Sequence, residues 1–458
     1  MLTCFTKSAE QSVITIFPII ESQFSDWLSS QNEKTKTWVA SSGFAAKSGR
    51  FCLLPSSSGA LTSVLFGVKD PDDFWAFGAL ANQLPEGIYQ LDADFFKTPE
   101  DQFRASLAWG LGAYRFSKYI ESSECEAKLL LDTSDSADHI ENWVETICEC
   151  RDWINTPAED MTPVTLADIV KQLGKNYSAK VKMTAGDALL KANYHAIHRV
   201  GRASMHEPRL IDLRWGDRDA PKVALVGKGV CFDSGGLDIK PSVGMRIMKK
   251  DMGGAAHAIA LARMIMQHKL PLQLRLLIPA VENAVGSRSY RPGDVIQTRA
   301  GISVEVEDTD AEGRLILCDA LAEAVTEKPD YLIDFSTLTG SARIALGPDI
   351  PAFLSNNDAL ATQIMQASER ERDLMWRLPM HQAYESYLKS EVADIASAGA
   401  GGAGAITAAL FLKRFVPDDV PWVHFDMSAW NYEARPGRPK GAEVMALRAV
   451  YHFLKTLN

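Results

Sequence analysis

Short apolar runs bounded by polar turns alternate along the chain with longer stretches of helical period. Residues 13–17, 63–68 and 128–131 read as strands, and residues 101–119 as a helix. Residues 138–154 place Ile140, Trp143, Val144 and Ile147 at spacings of three and four, the stripe of one helix. That stripe ends at Asn155-Thr156-Pro157, a turn signal and a natural boundary. Beyond it the pattern becomes strand (223–226), helix (254–267), strand (272–278), helix (315–325), strand (331–335). Such alternation predicts an α/β fold with a mostly parallel central sheet covered by helices on both faces. The expected organisation is a smaller N-terminal α/β domain (1–131), a linker helix (132–154) and a larger C-terminal domain (155–458). A Gly/Ala-rich loop at 396–405 leads into a further helix at 407–415.

A chain of 458 residues is too long for one ordinary core, which supports two domains. Its formal charge of −10 argues against non-specific nucleic-acid binding, which needs a basic surface. Seven irregularly spaced cysteines form no disulfide framework, so a reducing, cytoplasmic setting is expected. The first 20 residues carry Lys7, Glu10 and Pro18 and read as a strand, not a signal peptide. The longest uncharged run, 395–412, is too weakly apolar to span a bilayer.

Polar residues that could do chemistry gather in two places, after Val226 and around Asp310, where strands of an open sheet would end. The first runs from Gly227-Lys228-Gly229 through Asp233-Ser234-Gly235-Gly236 and Lys240 to Asp251. The second is Thr309-Asp310-Ala311-Glu312-Gly313-Arg314-Leu315. Simpler roles exist for each. Asp251 could cap the helix that follows, and Thr309 with Glu312 fits a capping box. A capping box leaves Gly313 unexplained, at a cost of about 1 kcal/mol in a helical turn, and puts Arg314 at the wrong end of the helix dipole. Gly227-Lys228-Gly229 lacks phosphate-loop spacing. Asp233-Ser234-Gly235-Gly236 is like a serine-protease nucleophile segment, but Phe232 stands where glycine is usual there. Together, Asp233, Asp251, Asp310 and Glu312 supply four negative charges that two divalent cations would cancel. In an extended segment Asp310 and Glu312 would point the same way. Lys240 and Arg314 add two positive charges for further anions.

These stretches, with Asn155-Thr156-Pro157-Ala158, Ser336-Thr337-Leu338-Thr339-Gly340, Trp376-Arg377-Leu378-Pro379 and 404–410, closely resemble the leucyl aminopeptidase family, the M17 metallopeptidases. The resemblance covers about the last 300 residues. It implies hydrolysis of peptides from the N-terminus, with a leucine-like preference, by two zinc or manganese ions. It implies metal ligands Lys228, Asp233, Asp251, Asp310 and Glu312, with Asp233 and Glu312 bridging. Lys240 would stabilise the oxyanion, and Arg314 would hold a bicarbonate that shuttles a proton. Met248, Thr337 and Gly340 match side-chain pocket positions, and the Leu338 carbonyl would accept from substrate. Relatives are hexamers, so a homohexamer is expected, with peptides as partners and neither membrane nor nucleic acid. One departure is Asp308, where the family usually has Asn. Two other functions compete: a serine hydrolase using Ser234, and a non-enzymatic or DNA-binding role.

Overall fold

The computed structural model describes residues 3–9, 12–121, 125–131, 135–399 and 401–457. The chain forms two compact units, Met1–Cys148 with Glu433–Lys440, and Glu149–Tyr432 with Gly441–Asn458. The division falls inside one helix, Asp135–Asn155. Residues 132–134 of the expected linker lie outside the described residues.

The first unit is built on six strands: β1 (Phe5–Thr6), β2 (Val13–Ile20), β3 (Phe51–Pro55), β4 (Leu61–Val68), β5 (Gly87–Leu91) and β6 (Ala127–Leu130). Their order is β1-β6-β5-β2-β4-β3, parallel except for the β3–β4 pair. Pro18 is tolerated in β2 because pairing to β5 stops at Ile16, so its missing amide breaks no ladder on that side. The helix expected to reach residue 119 runs only over Pro99–Ala113. Tyr114 turns to ψ 134° and buries its ring instead of continuing the helix.

The second unit holds β7 (Lys180–Ala185), β8 (Arg209–Gly216), β9 (Lys222–Gly227), β10 (Gly229–Asp233), β11 (Gln273–Asn283), β12 (Val295–Gln297), β13 (Ser303–Glu305), β14 (Tyr331–Ser336), β15 (Ala352–Ser355), β16 (Trp376–Arg377), β17 (Ile395–Ala396) and β18 (Trp422–Asp426). The large sheet runs β16-β15-β18-β14-β9-β11-β8-β7, with β10 added to β11. Five strands, β9, β10, β11, β14 and β18, are mutually parallel, while β7, β8 and β15 make the antiparallel pairings.

Alternation along β9 sends side chains to both faces. Ala224 and Val226 join the core made by Leu315, Ile316 and Ala320 of the helix Glu312–Ala324. Gly227, facing the other way, lies against Ala255 and Ala258 of the helix Gly253–Gln267. The sheet is thus covered on both faces. Deep in this unit Asp319 accepts from the amides of Ala196 and Ile197 with one oxygen and of Arg299 with the other. Among the described residues, no helix is long and apolar enough to cross a membrane.

Candidate metal centre

The five parallel strands end at one edge. Lys228 follows β9, Asp233 closes β10, Asn283 closes β11, Thr337 follows β14 and Asp426 closes β18. Two helices begin there. Asp251 lies in the 3-10 turn Met248–Met252 ahead of Gly253–Gln267, and Glu312 is the first residue of its helix.

Neither acid serves as a helix cap. The capping positions are Met252 and Ala311, without side-chain bonds. Asp251 instead accepts from the Thr337 hydroxyl at 2.7 Å, and the Thr309 hydroxyl donates to the Gly235 carbonyl at 2.6 Å. Asp310 and Glu312 do not lie in an extended segment as expected; Asp310 is in a turn and Glu312 is helical. The turn nonetheless brings one oxygen each of Asp233, Asp310 and Glu312 within 4.8 Å of one another.

Two lysines stand among these acids. Lys228 Nζ lies 2.7 Å from Asp251 and 2.8 Å from Glu312. Lys240 Nζ lies 2.7 Å from Asp233 and also contacts Asp310. Burial alone would lower the Lys228 pKa, but the carboxylates of Asp251, Glu312 and Asp233 outweigh it and raise it. Lys240 is raised for the same reason, against its own burial, chiefly by Asp233 and Glu312. Burial, then the charge of Asp233, pushes Asp310 up to about 6 and Glu312 well above the carboxylate range. The acids therefore repel one another, and the lysine ammoniums provide the countercharge.

The donor set fits divalent ions. Asp251 Oδ2, Glu312 Oε1 and Asp310 Oδ1 meet only lysine ammoniums, and Glu312 Oε2 has no partner among the described residues. Buried carboxylate oxygens without donors are costly unless a cation meets them. Hard oxygen ligands with no histidine or thiolate suit zinc, manganese or magnesium.

Several residues that build this site were not singled out from sequence. The Asn283 side-chain amide donates to both Asp233 Oδ1 (2.8 Å) and the Thr309 carbonyl (3.0 Å). The Tyr290 hydroxyl donates to the same carbonyl at 2.6 Å. Asp426 accepts from the amides of Leu338 and Thr339 and from the Thr339 hydroxyl. Asn283 and Asp426 each end an apolar strand, the same signal that exposed Asp233. Tyr290 offered no such signal. Asp308 accepts the Asp310 amide at 2.7 Å, a turn that an Asn oxygen could make equally well.

The other expected site residues lie close by. Met248 opens the turn that carries Asp251 and is buried. Thr337, Leu338 and Gly340 form the loop that Asp426 ties down. Arg314 is buried and donates to the Ser397 carbonyl at 2.7 Å, while its Nε lacks an acceptor. Burial lowers its pKa. Ser234 donates to the Asn283 carbonyl at 2.6 Å, and no histidine bonds its hydroxyl, so the serine-nucleophile arrangement is absent among the described residues.

A metal-dependent hydrolase is the class that this arrangement defines, and comparison narrows it. The catalytic domain of the cytosol aminopeptidase family matches residues 148–451, and the M17 aminopeptidase N-terminal domain matches residues 14–132. A probable cytosol aminopeptidase from Chlamydia abortus is 39% identical over 378 residues, covering 78% of this chain and 76% of its own. The crystal structure of a cytosol aminopeptidase from Coxiella burnetii shares 54% identity with a TM-score of 0.97, covering 99% of this chain and 100% of that one. The bottromycin maturation enzyme BotP in complex with Mn superposes with a TM-score of 0.87 at 30% identity, covering 97% and 99% of the two chains. The chain belongs to the cytosol aminopeptidase (M17) family and is a metallo-aminopeptidase that acts on peptides.

Proposed function

We propose that the chain releases N-terminal residues using two divalent ions held by Lys228, Asp233, Asp251, Asp310 and Glu312, with Asp233 and Glu312 shared. When bound, such ions activate water and fix the free α-amine of the substrate. Lys228 can be a ligand only as a neutral amine, so its proton leaves when a dication takes over as the countercharge. Lys240, now paired with Asp233 and Asp310, is then free to face negative charge developing on the scissile carbonyl oxygen. Arg314, with an unfilled donor at Nε, would hold a bicarbonate, which would supply proton transfer between water and the leaving amine. Met248, Thr337 and Gly340 border the first side chain, and the Leu338 carbonyl accepts from substrate. A leucine-like preference, a homohexamer and a cytoplasmic setting rest on the family resemblance, and the Mn in the BotP complex supports manganese as one competent ion.

The observation that carries this reading is a cluster of carboxylate oxygens at one sheet edge whose only partners are two lysine ammoniums, with Glu312 Oε2 left unpaired. The test is hydrolysis of amino-acid amides with a free and with an acetylated α-amine, before and after chelation and re-addition of Mn or Zn. Cleavage only of the free amine, lost on chelation and restored by metal, is expected. Chelator-resistant cleavage, or equal cleavage of the blocked amide, would overturn it.

A further inference from the structure

We infer that Tyr290 and Asn283 are positioning residues for the metal centre: by holding the Thr309 carbonyl they aim Asp310, the acid of the cluster that packing does not fix. The inference rests on the two-metal reading above and adds to it two residues outside the ligand set.

The three acids that converge are not held alike. The side chains of Asp233 and Glu312 are 3% and 1% exposed, whereas that of Asp310 is 34% exposed. Close neighbours restrict the first two, so the aim of Asp310 has to come from its backbone. Asp310 sits in a turn, where no helical ladder fixes it. The peptide unit in front of it is instead bonded at both polar ends. The Thr309 carbonyl accepts from the Tyr290 hydroxyl at 2.6 Å and from the Asn283 amide at 3.0 Å. At the opposite end, the Asp310 amide donates to Asp308 at 2.7 Å. A peptide unit is planar, so three bonds at its two ends define its plane and place the Asp310 Cα.

Both donors are rigidly set. Tyr290 is buried in the core beside the helix Glu312–Ala324, and among the described residues its hydroxyl makes no other hydrogen bond. Asn283 is fully buried and spends its second hydrogen on Asp233 Oδ1 at 2.8 Å. The Gly235 amide reaches the same oxygen at 2.9 Å, which leaves Asp233 Oδ2 to Lys240. Turned over, the Asn283 amide would set its oxygen against two acceptors, so its orientation is fixed. A carboxylate of the same shape would meet that repulsion in either orientation. Hydrogen bonds that orient metal ligands in this way are worth about 10- to 100-fold in metal affinity or activity.

The test titrates the whole chain, stripped of metal, with Mn in a calorimeter, and follows hydrolysis of leucine p-nitroanilide at saturating Mn. Tyr290→Phe removes one hydroxyl and keeps the ring in the core. Its Mn affinity should fall on the order of tenfold, and that of Asn283→Ala by about 10- to 100-fold. In both, kcat should fall by a larger factor than KM rises. Asn283→Ser keeps one hydroxyl donor and should recover part of the loss, while Asn283→Asp should bind Mn more weakly than Asn283→Ala. A purely structural role would lower the melting temperature of the metal-free protein and leave Mn affinity and kcat of the folded variants unmoved, and that result overturns the inference. Tighter Mn binding by Asn283→Asp would also overturn it, because residue 283 would then be a ligand itself. If Asn283→Ala does not fold, Tyr290→Phe decides alone. A wild type that binds no Mn would sink the two-metal reading and this inference together, whereas unmoved variants of a wild type that binds it sink only the inference.

Discussion

Asp319 has no exposed surface, and both its carboxylate oxygens are taken by main-chain amides. Burial nevertheless outweighs those amides and raises its pKa to about 7. The folded chain therefore holds this proton more tightly than the unfolded chain, where aspartate titrates near about 3.9. The stability this group contributes is complete below that lower value and is lost as pH rises through about 7, at about 1.4 kcal/mol per unit. Asp319→Asn cannot titrate and gives up one acceptor at a cost independent of pH. Chemical denaturation of both proteins from pH 4 to 7 should show the wild type losing stability relative to the variant. A constant difference across that range would mean that the carboxylate is ionised throughout. At this scale the sequence was legible where a residue's chemical type announced its role. Four acids and two lysines in two short strings had to meet something charged. Asn283 and Tyr290 were missed because they act by touching backbone that is far away in sequence, which no local pattern encodes.

Among the elements, the helix Glu312–Ala324 carries the most information. A Cβ on Gly313 would stand 2.6 Å from Lys228 Cε and 2.7 Å from its Nζ. The glycine that no capping rule could justify is the clearance that admits the lysine. Gly254 does the same for the neighbouring helix, where a Cβ would sit 2.1 Å from the Phe335 carbonyl oxygen and hold the helix off β14. Gly313→Ala should improve helix propensity by about 1 kcal/mol while displacing Lys228. Thermal stability is expected to change little, and both metal content and amide hydrolysis to fall by on the order of tenfold or more. Full activity in that variant would show that Lys228 needs no such room. The strands beneath these helices were visible as apolar runs. The capping box and the extended acid pair were not realised, because contacts to Gly235 and Asp238 claim Thr309 and close a turn before the helix.

Taken whole, the molecule was legible as alternating strands and helices, and the parallel heart of the large sheet follows from it. Its antiparallel flank was not. Lys180–Ala185 alternates lysines with small or apolar residues and is only half covered, so it carries too little apolar signal to stand out from a loop. The second unit also concentrates the acids that repel one another, which links its stability to bound cations. An ion at a hundredfold excess over its Kd adds about 2.7 kcal/mol to the state that binds it. Removing metal from the isolated protein should therefore lower its melting temperature by several degrees, and Mn should restore it. An unmoved transition in calorimetry would mean that the lysines neutralise the cluster as well as metal does.

The Asn283 amide has one hydrogen on each acidic segment, bonding Asp233 and the Thr309 carbonyl. The tip of β10 and the turn ahead of Glu312 are thereby fastened to a single peg at the end of β11. Movement of either segment away from the strand end therefore breaks one of the two bonds this single side chain makes.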